Sequence, residues 1–179
     1  GANHAAGPLK VAMAPAVGRM YFVPMLAEFR RRYPEVLPDL HFDNRQVDLI
    51  AEGFDVAIRV TKLEDSGMIA RKISDFRVHL CATPEFLERH PDLEHPSDIS
   101  NVPFIVDTNA RTQASIRFHN PDNTSFAVAV SGPIEVNSPH ATLRAALAGI
   151  GIALIPDFIA RKPIESGALV TLFNDYLPT

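Results

Sequence analysis

The sequence predicts an α/β fold built on a doubly wound parallel sheet, and two features carry that prediction. Residues 47–60, VDLIAEGFDVAIRV, begin as a short amphipathic helix with Val47 and Ile50 on one face. Gly53 ends that helix, and the apolar run 54–60 is typical of a buried strand covered by helices on both sides. The second feature is order, because residues 9–60 alternate strand, helix, strand, helix and strand.

The predicted elements before residue 47 are two strands and a long helix. Residues 9–13 form the first strand, which Pro15 ends, and residues 16–18 make a turn of small side chains. The helix covers residues 19–33, because its apolar residues recur at helical spacing and a proline follows. Its last turn carries three arginines, where cations complement the helix dipole. Residues 37–42 form the second strand.

The remaining sequence predicts a second, β-rich α/β lobe. Residues 68–83 form a long extended run that could carry the chain from one lobe to another, and its tail 78–82 is apolar enough to be buried. Asn137 or Ser138 caps a helix whose first residue is Pro139. The other predicted elements are a helix at 84–90, a connection at 91–103, strands at 104–106, 114–118, 125–130, 134–136, 152–155 and 168–173, a helix at 140–148 and a helical turn at 157–161.

These elements predict a division of the chain into a linker or cloning remnant and two lobes. The linker is residues 1–8, the first lobe is residues 9–81 and the second lobe is residues 82–171.

Composition excludes several classes of protein. The 179 residues carry 17 basic and 21 acidic side chains, a net charge of -4, which argues against a fragment that grips phosphate backbones. One cysteine, Cys81, allows no internal disulfide and favours a reducing compartment. No apolar run approaches the roughly 20 residues that span a bilayer, and the amino end lacks a secretory pattern. We therefore expect a cytoplasmic protein without a membrane partner.

Several stretches together resemble the effector-binding domain of LysR-type transcriptional regulators. The most specific are DLIAEGFDVAIR and ALAGIGIALIP, supported by GPLKVAMAP, PMLAEFRRRYPEV, LCATPEFLERHP and GALVTLFNDY. The resemblance implies two Rossmann-like lobes with a cleft between them, as in type II periplasmic binding proteins, and a small-molecule effector. It also implies a homodimer of this domain, a tetramer for the full-length protein, and DNA binding only through a winged helix-turn-helix that this chain lacks.

Two departures from the family pattern bear on these expectations. The family continues past NDYLP with a strand and a helix that return to the first lobe, so we expect residues 172–179 to be a truncated return. The turn after the first strand often carries hydroxyls that hold an effector carboxylate, whereas this chain has Ala16 and Val17. Backbone N–H groups at that helix start can still bind an anion.

Candidate effector-binding residues lie where predicted strands end and helices begin, as in other open α/β sheets. Nine of them have a plainer alternative: a tight turn for the first three, a structural pair with Asp55 or Glu64 for the arginine, turn or capping chemistry for the polar residues of the second lobe, and a surface position for the histidine. Residues 156–158 are expected to supply an apolar wall. The candidates are Ala16, Val17, Gly18, Arg59, Thr61, Asp107, Thr108, Asn137, Ser138, His140, Pro156 and Phe158.

The resemblance also implies a dimer interface that pairs the helix at 19–33 of one chain with the helix at 139–148 of another. The residues expected there are Met20, Val23, Ala27, Arg30, Leu143 and Leu147.

The sequence does not favour an enzyme, a cofactor or a metal. It has no G-x-S-x-G elbow, and Gly149 and Gly151 follow a helix and precede a strand, which is the wrong order for a dinucleotide-binding turn. The histidines and carboxylates of residues 90–95 share a proline-flanked loop, which favours an exposed connection over a metal site, and Cys81 is expected to be an inert core thiol. The leading hypothesis is a LysR-type effector-binding domain; the alternatives are a free solute-binding protein and, third, a small enzyme.

Overall fold

The chain divides into two units, residues 1–71 and residues 72–179, in a computed structural model that describes residues 4–45, 48–60, 69–109 and 114–178. The division falls before the predicted boundary at 81/82. The reason is that Val78–Ala82 is hydrogen-bonded into the sheet of the second unit and so belongs to it.

Unit 1 contains a three-stranded parallel sheet in the order β2-β1-β3. Its strands are β1 (Gly7–Met13), β2 (Val36–Phe42) and β3 (Val56–Ile58). Val11 and Met13 of the central strand are buried. The parallel arrangement that the alternation predicted is confirmed.

The first helix begins four residues earlier than predicted, at Pro15. Helix α1 (Pro15–Val17) continues through a π-helical turn at Gly18–Phe22 into α2 (Val23–Arg32). The residues predicted as a turn are therefore the first helical turn, since proline suits the first helical position. Within the π-helical turn the Val23 N–H reaches the Gly18 carbonyl, five residues back, and Pro24, which has no N–H, follows immediately.

Helix α3 (Leu49–Glu52) ends at Gly53 as predicted, but it begins two residues later than predicted and its apolar face is not buried. The Asp48 carboxylate accepts from the N–H groups of Ile50 and Ala51, and Gly53 takes the left-handed conformation at φ 74°. Ile50 is 86% exposed and Ala51 is exposed, so the apolar stripe does not face a core. Val47 lies outside the described residues. Strand β3 is also partly exposed, because it forms an edge of the sheet.

Unit 2 contains a mixed sheet. Strands β4 (Val78–Ala82), β9 (Ala153–Pro156) and β10 (Val170–Thr171) pair antiparallel in the order β10-β4-β9. Strands β5 (Ile105–Asp107) and β8 (Ile134–Val136) pair in parallel, and a parallel bridge joins Phe104 to Ile152 beside β9. Strands β6 (Ser115–His119) and β7 (Ser125–Ala129) form a hairpin.

The helices of unit 2 start at capped or proline-led positions, except the last 3-10 turn, which follows Phe173. They are α4 (Pro84–Glu88), a 3-10 helix at Pro96–Asn101, α5 (Pro139–Leu147), α6 (Asp157–Glu165) and a 3-10 turn at Asn174–Tyr176. Ser138 caps α5, which resolves the choice left open between Asn137 and Ser138. Helix α6 is longer than the single turn predicted and runs through Pro163, whose ring removes one N–H donor without ending the helix.

The predicted extended run at 68–83 forms a strand only in its tail. Residues 69–77 carry no regular secondary structure, and Ile69 and Ile73 are 104% and 71% exposed. The prediction failed there because no strand of the described residues lies beside residues 69–77 to complete a hydrogen-bonded ladder.

The core of unit 2 is an apolar cluster that includes Leu80, Phe86, Ile99, Phe118 and Ile152. Leu172, Phe173, Tyr176 and Leu177 pack against this cluster, so the carboxyl-terminal residues lie on unit 2, whereas the sequence predicted a return towards the first lobe. No helix in the described part of the chain is long and apolar enough to span a membrane.

Two glycines of unit 2 are required by close backbone packing. A Cβ on Gly132 would lie 1.7 Å from the Phe104 carbonyl oxygen, and one on Gly151 would lie 2.7 Å from the Pro103 oxygen. Gly149 instead takes the left-handed conformation, at φ 76°, just past α5. The Gly149-Ile150-Gly151 motif is therefore a helix end followed by a tight crossing, in agreement with the predicted order of helix and strand.

Candidate functional site

In unit 1 the candidate residues gather at the carboxyl-terminal edge of the parallel sheet. Strands β1, β2 and β3 end in register at Met13, Phe42 and Ile58, and the helical run begins at this edge. Ala16 and Gly18 are buried and Val17 is half-buried. A Cβ on Gly18 would lie 2.8 Å from the Phe42 ring, so glycine is needed there for packing of the helix on the strands.

The start of this helical run has backbone donors rather than hydroxyls. Ala14, the capping residue, makes no side-chain cap, and the Gly18 N–H donates to the Ala14 carbonyl at 2.9 Å. By their position, the N–H groups of Ala16 and Val17 have no acceptor within the helix. These two groups are where a polar or anionic ligand atom could be bound.

Arg59 lies just beyond β3, as predicted, and its guanidinium contacts backbone carbonyls. One Nη donates to the Arg45 oxygen and the other to the Asn44 oxygen at 3.4 Å. Of the two carboxylates proposed as partners, Asp55 accepts from the Lys10 N–H at 2.8 Å, and Glu64 lies outside the described residues. Thr61 also lies outside them. Arg59 thus holds the loop that follows β2.

Sequence reasoning missed the ion pairs of that loop. Arg45 donates to Asp43 at 2.6 Å and to Glu52 at 2.7 Å. Hydrogen bonds from the Arg45 backbone and side chain lower the pKa of Asp43, with a smaller contribution from the charge of Arg59. The alternating charges in FDNRQVD were a weak signal for these ion pairs. They did not indicate that Arg45 would contact Glu52, seven residues further along the chain.

In unit 2 the candidate residues also follow the ends of parallel strands. Strands β5 and β8 run in parallel, and the bridge from Phe104 to Ile152 gives β9 the same direction. Their carboxyl ends therefore meet at one edge of the sheet. This edge carries Asp107, Thr108, Asn137, Ser138, His140, Pro156 and Phe158.

Two of these strand ends are joined by direct hydrogen bonds. The N–H of Thr108 donates to the Val136 oxygen at 2.9 Å, and its hydroxyl donates to the same oxygen at 3.3 Å. The Asn109 amide donates to the Asn137 oxygen at 2.7 Å, while its backbone N–H donates to the Asp107 carboxylate at 2.8 Å. The structure thus brings Asp107, Thr108 and Asn137 together, and adds Asn109.

The first turn of α5 completes this edge. The Ser138 hydroxyl accepts from the Ala141 N–H at 3.3 Å, which is the predicted cap. His140 is half-buried in the same turn, rather than on the open surface that was its plainer alternative.

The end of β9 contributes a polar group that the sequence did not single out. Pro156 and Phe158 are half-buried, and the Phe158 ring packs edge-on against Phe76 at 5.9 Å between centroids. Between them, Asp157 pairs with His79 at 2.7 Å and with Arg161 through its other oxygen. Hydrogen bonds from His79 and then Arg161 lower the pKa of Asp157. An aspartate at a helix start could have flagged it, but its partner His79 is 78 residues away.

The residues predicted for a dimer interface divide by exposure. Met20 and Val23 are 39% and 41% exposed, and Ala27 and Arg30 are exposed on the same helical run. Leu147 is half-buried. Leu143 is only 9% exposed and is one of the buried apolar residues of unit 2, so of the six residues it is the one least available to a second copy.

The groups weighed for catalysis or metal binding have structural roles. The His90 ring hydrogen-bonds to a backbone carbonyl, and the His95 side chain caps the 3-10 helix. No group of three or more histidine, cysteine or acidic side chains in the described part of the chain could hold a metal. Cys81 is fully buried, and burial raises the pKa of its thiol to about 12, in keeping with an inert core position.

Comparison with known proteins places these features in a family. Residues 2–178 match the profile of the LysR substrate binding domain. A curated relative, an uncharacterized HTH-type transcriptional regulator of Haemophilus influenzae, is 29% identical over 170 residues, which is 95% of this chain and 59% of that protein. The chain therefore spans about three-fifths of the length of that relative.

Solved structures agree with this match. The full-length virulence activator AphB of Vibrio cholerae, described as a member of the LTTR family, has a TM-score of 0.79 and 25% identity over 98% of this chain and 59% of its own. The regulatory domain of CrgA from Neisseria meningitidis has a TM-score of 0.77 at 24% identity, over 97% of this chain and 84% of its own, which shows the shared fold.

Proposed function

The chain belongs to the family of LysR substrate-binding domains, and from that membership we propose that it is the effector-binding and oligomerisation domain of a bacterial transcriptional regulator. The observation that carries the proposal is the profile match over residues 2–178, nearly the whole chain. The curated relative from Haemophilus influenzae is a helix-turn-helix regulator, so a free solute-binding protein is not favoured.

A small molecule would bind at the carboxyl-terminal edges of the parallel strands. In unit 2 the groups offered are the Thr108 hydroxyl and the Asn109 amide, held by bonds to β8 and its following turn, and the Asp107 carboxylate, which accepts from the Asn109 N–H. In unit 1 they are the N–H groups of Ala16 and Val17. Such a ligand changes the protein only to the extent that it binds two conformations with different affinity.

Thermal shift with a panel of small metabolites tests this proposal. A ligand at 100 times its dissociation constant stabilises the folded state by about 2.7 kcal/mol. We expect Thr108→Val to reduce the shift, because it removes a hydroxyl at the edge of unit 2 and keeps the side-chain volume. The matched control is Thr124→Val, the same change in the β6–β7 loop. Equal shifts in both variants would remove Thr108 from the site.

A second proposed role is self-association through the helical run that begins at Pro15. Its exposed apolar side chains, Met20, Val23 and Ala27, would contact the α5 region of a second copy around Leu147. Val23→Asp is expected to give monomers in sedimentation velocity, with Thr124→Val as a variant that retains the dimer. A tight dimer of Val23→Asp would exclude this surface.

The remaining roles belong to the whole protein. We propose that a helix-turn-helix module outside this chain binds DNA, that the protein acts in the cytoplasm as a tetramer, and that this chain catalyses no reaction. The support is family membership, since the Haemophilus influenzae relative is a transcriptional regulator of greater length. Reading the parent gene tests the first point: an export signal in place of a helix-turn-helix would contradict it.

A further inference from the structure

The segment that enters unit 2 is fastened to the start of α6 by contacts at consecutive positions. The Asp157 N–H donates to the Arg77 carbonyl at 2.8 Å, and the Asp157 carboxylate pairs with His79 at 2.7 Å. One residue further along α6, the Phe158 ring packs edge-on against Phe76. Strand pairing of Val78 with Pro156 lies between these contacts.

Among the described residues, those just before these contacts show no comparable interactions with the rest of the unit. Arg71, Lys72 and Ile73 are exposed and belong to no helix or strand. The Lys72 ammonium pairs with Asp75 at 2.7 Å, a local contact between two exposed side chains of the segment itself. The part of the segment that makes only local contacts therefore ends at Asp75, and the part that contacts α6 begins at Phe76.

The same three residues at the start of α6 belong to the candidate effector site. Pro156 and Phe158 were predicted to form its apolar wall, and Asp157 lies between them. A ligand that contacts this wall would also act on the residues that fasten the segment. From these contacts, and resting on the proposed function, we propose that Asp157 is a positioning residue that couples the effector site of unit 2 to the segment arriving from unit 1.

Charge contributes to this coupling. The groups that face the Asp157 carboxylate are His79 from β4 and Arg161 from the next turn of α6. The side chains of Asp157 and His79 are each 23% exposed, so their pair is partly shielded from water. Charge-assisted hydrogen bonds of this kind are stronger than neutral ones.

Limited trypsin proteolysis of the 179-residue chain tests the proposal without any effector. Arg71 and Lys72 lie before the fastened contacts, whereas the bond after Arg77 uses the carbonyl that accepts from Asp157. In the wild type we expect cleavage after Arg77 to be at least about tenfold slower than after Lys72, because cleavage follows the population of the opened segment.

Substitution of Asp157 should reduce the difference between the two cleavage rates by acting on the bond after Arg77 alone. Asp157→Ala is expected to raise cleavage after Arg77 about tenfold and to leave cleavage after Lys72 unchanged, with Asp157→Asn intermediate because it keeps an acceptor. Asp157→Glu, which keeps the charge, should restore part of the protection. The matched control is Asp122→Asn, which removes a carboxylate from the β6–β7 loop of the same unit.

Three outcomes would overturn the proposal. The first is equal cleavage after Lys72 and Arg77 in the wild type, and the second is a rise at both bonds in Asp157→Ala. If trypsin cuts neither bond, the test is hydrogen exchange at the Asp157 backbone amide. An exchange rate that does not change in His79→Ala is the third outcome that would overturn the proposal. Because no effector is present, failure here leaves the thermal-shift test of effector binding intact.

Discussion

Unit 1 and unit 2 bury their apolar residues to different degrees. In unit 2, Leu80, Ile99, Phe118 and Ile152 have no exposed surface at all. In unit 1, Leu37 is 61% exposed on a strand. The difference indicates that unit 2 can be stabilised by its own core, while unit 1 keeps apolar surface that a second copy can cover.

The largest expected effect is that of Gly132→Ala in unit 2. Its Cβ would meet the Phe104 carbonyl oxygen at 1.7 Å, which requires the backbone to move, so we expect a loss of at least about 3 kcal/mol of unfolding free energy in urea. The control is Gly167→Ala, where φ is 80° and the space is open; it should cost only about 1 kcal/mol. Equal losses would mean that packing at Gly132 is not tight.

Truncation of a leucine in each unit compares the two cores directly. Leu80→Ala removes a fully buried side chain and should cost about 2–5 kcal/mol, because the cavity is only partly refilled. Leu37→Ala in unit 1 should stay within about 0.5 kcal/mol in a monomeric sample. A large loss for Leu37→Ala that grows with protein concentration would show that the exposed surface is covered by self-association.

Loss of a helix cap is expected to be smaller, and unequal between the units. Ser138→Ala removes the cap of α5, a helix with four buried residues, and should cost about 1 kcal/mol in urea unfolding. Asp48→Ala removes the cap of α3, which has four residues and none buried, and should cost less. Ser138→Asn serves as the control because asparagine also caps well. A greater loss for Asp48→Ala would reverse the comparison.

Acid should reveal the smallest effect. The pKa of Asp157 is lowered in the folded state, so its contribution is present above the unfolded value of about 3.9 and is lost as the pH falls through the folded value. The difference in melting temperature between wild type and Asp157→Asn should therefore hold at pH 6 and vanish in acid. We expect this charge pair to contribute less than about 1 kcal/mol to the free energy of unfolding, since both partners contact water. A difference that persists below the folded pKa would mean that shape, not charge, matters at this position.

The sequence predicted those features that depend on local pattern. The alternation of strands and helices placed β1 and β2, the apolar run at 152–155 placed β9, and a capping residue before Pro139 identified the start of α5. Strand ends then indicated which polar residues meet, and the Thr108 and Asn137 bonds follow that expectation.

Features set by distant neighbours were not predictable in this way. The segment before Val78 is predicted as part of a long extended run but has no strand beside it in the described residues. Ile50 belongs to an amphipathic pattern yet is exposed. The partnership of His79 with Asp157 joins strand β4 to the start of helix α6, two elements that only folding brings together. Leu143 shows the same limit, because a helical stripe does not reveal whether it faces its own core or a second copy.

Cys81 gives the molecule a built-in reporter of its own opening. It is the one thiol in the chain, and it lies on β4 between two other strands of unit 2. Burial raises the pKa of this thiol to about 12, so the reactive thiolate is scarce at neutral pH, and the thiol is fully buried in the sheet. A thiol-reactive dye therefore labels the protein only when the sheet of unit 2 opens, while openings confined to unit 1 leave it unlabelled.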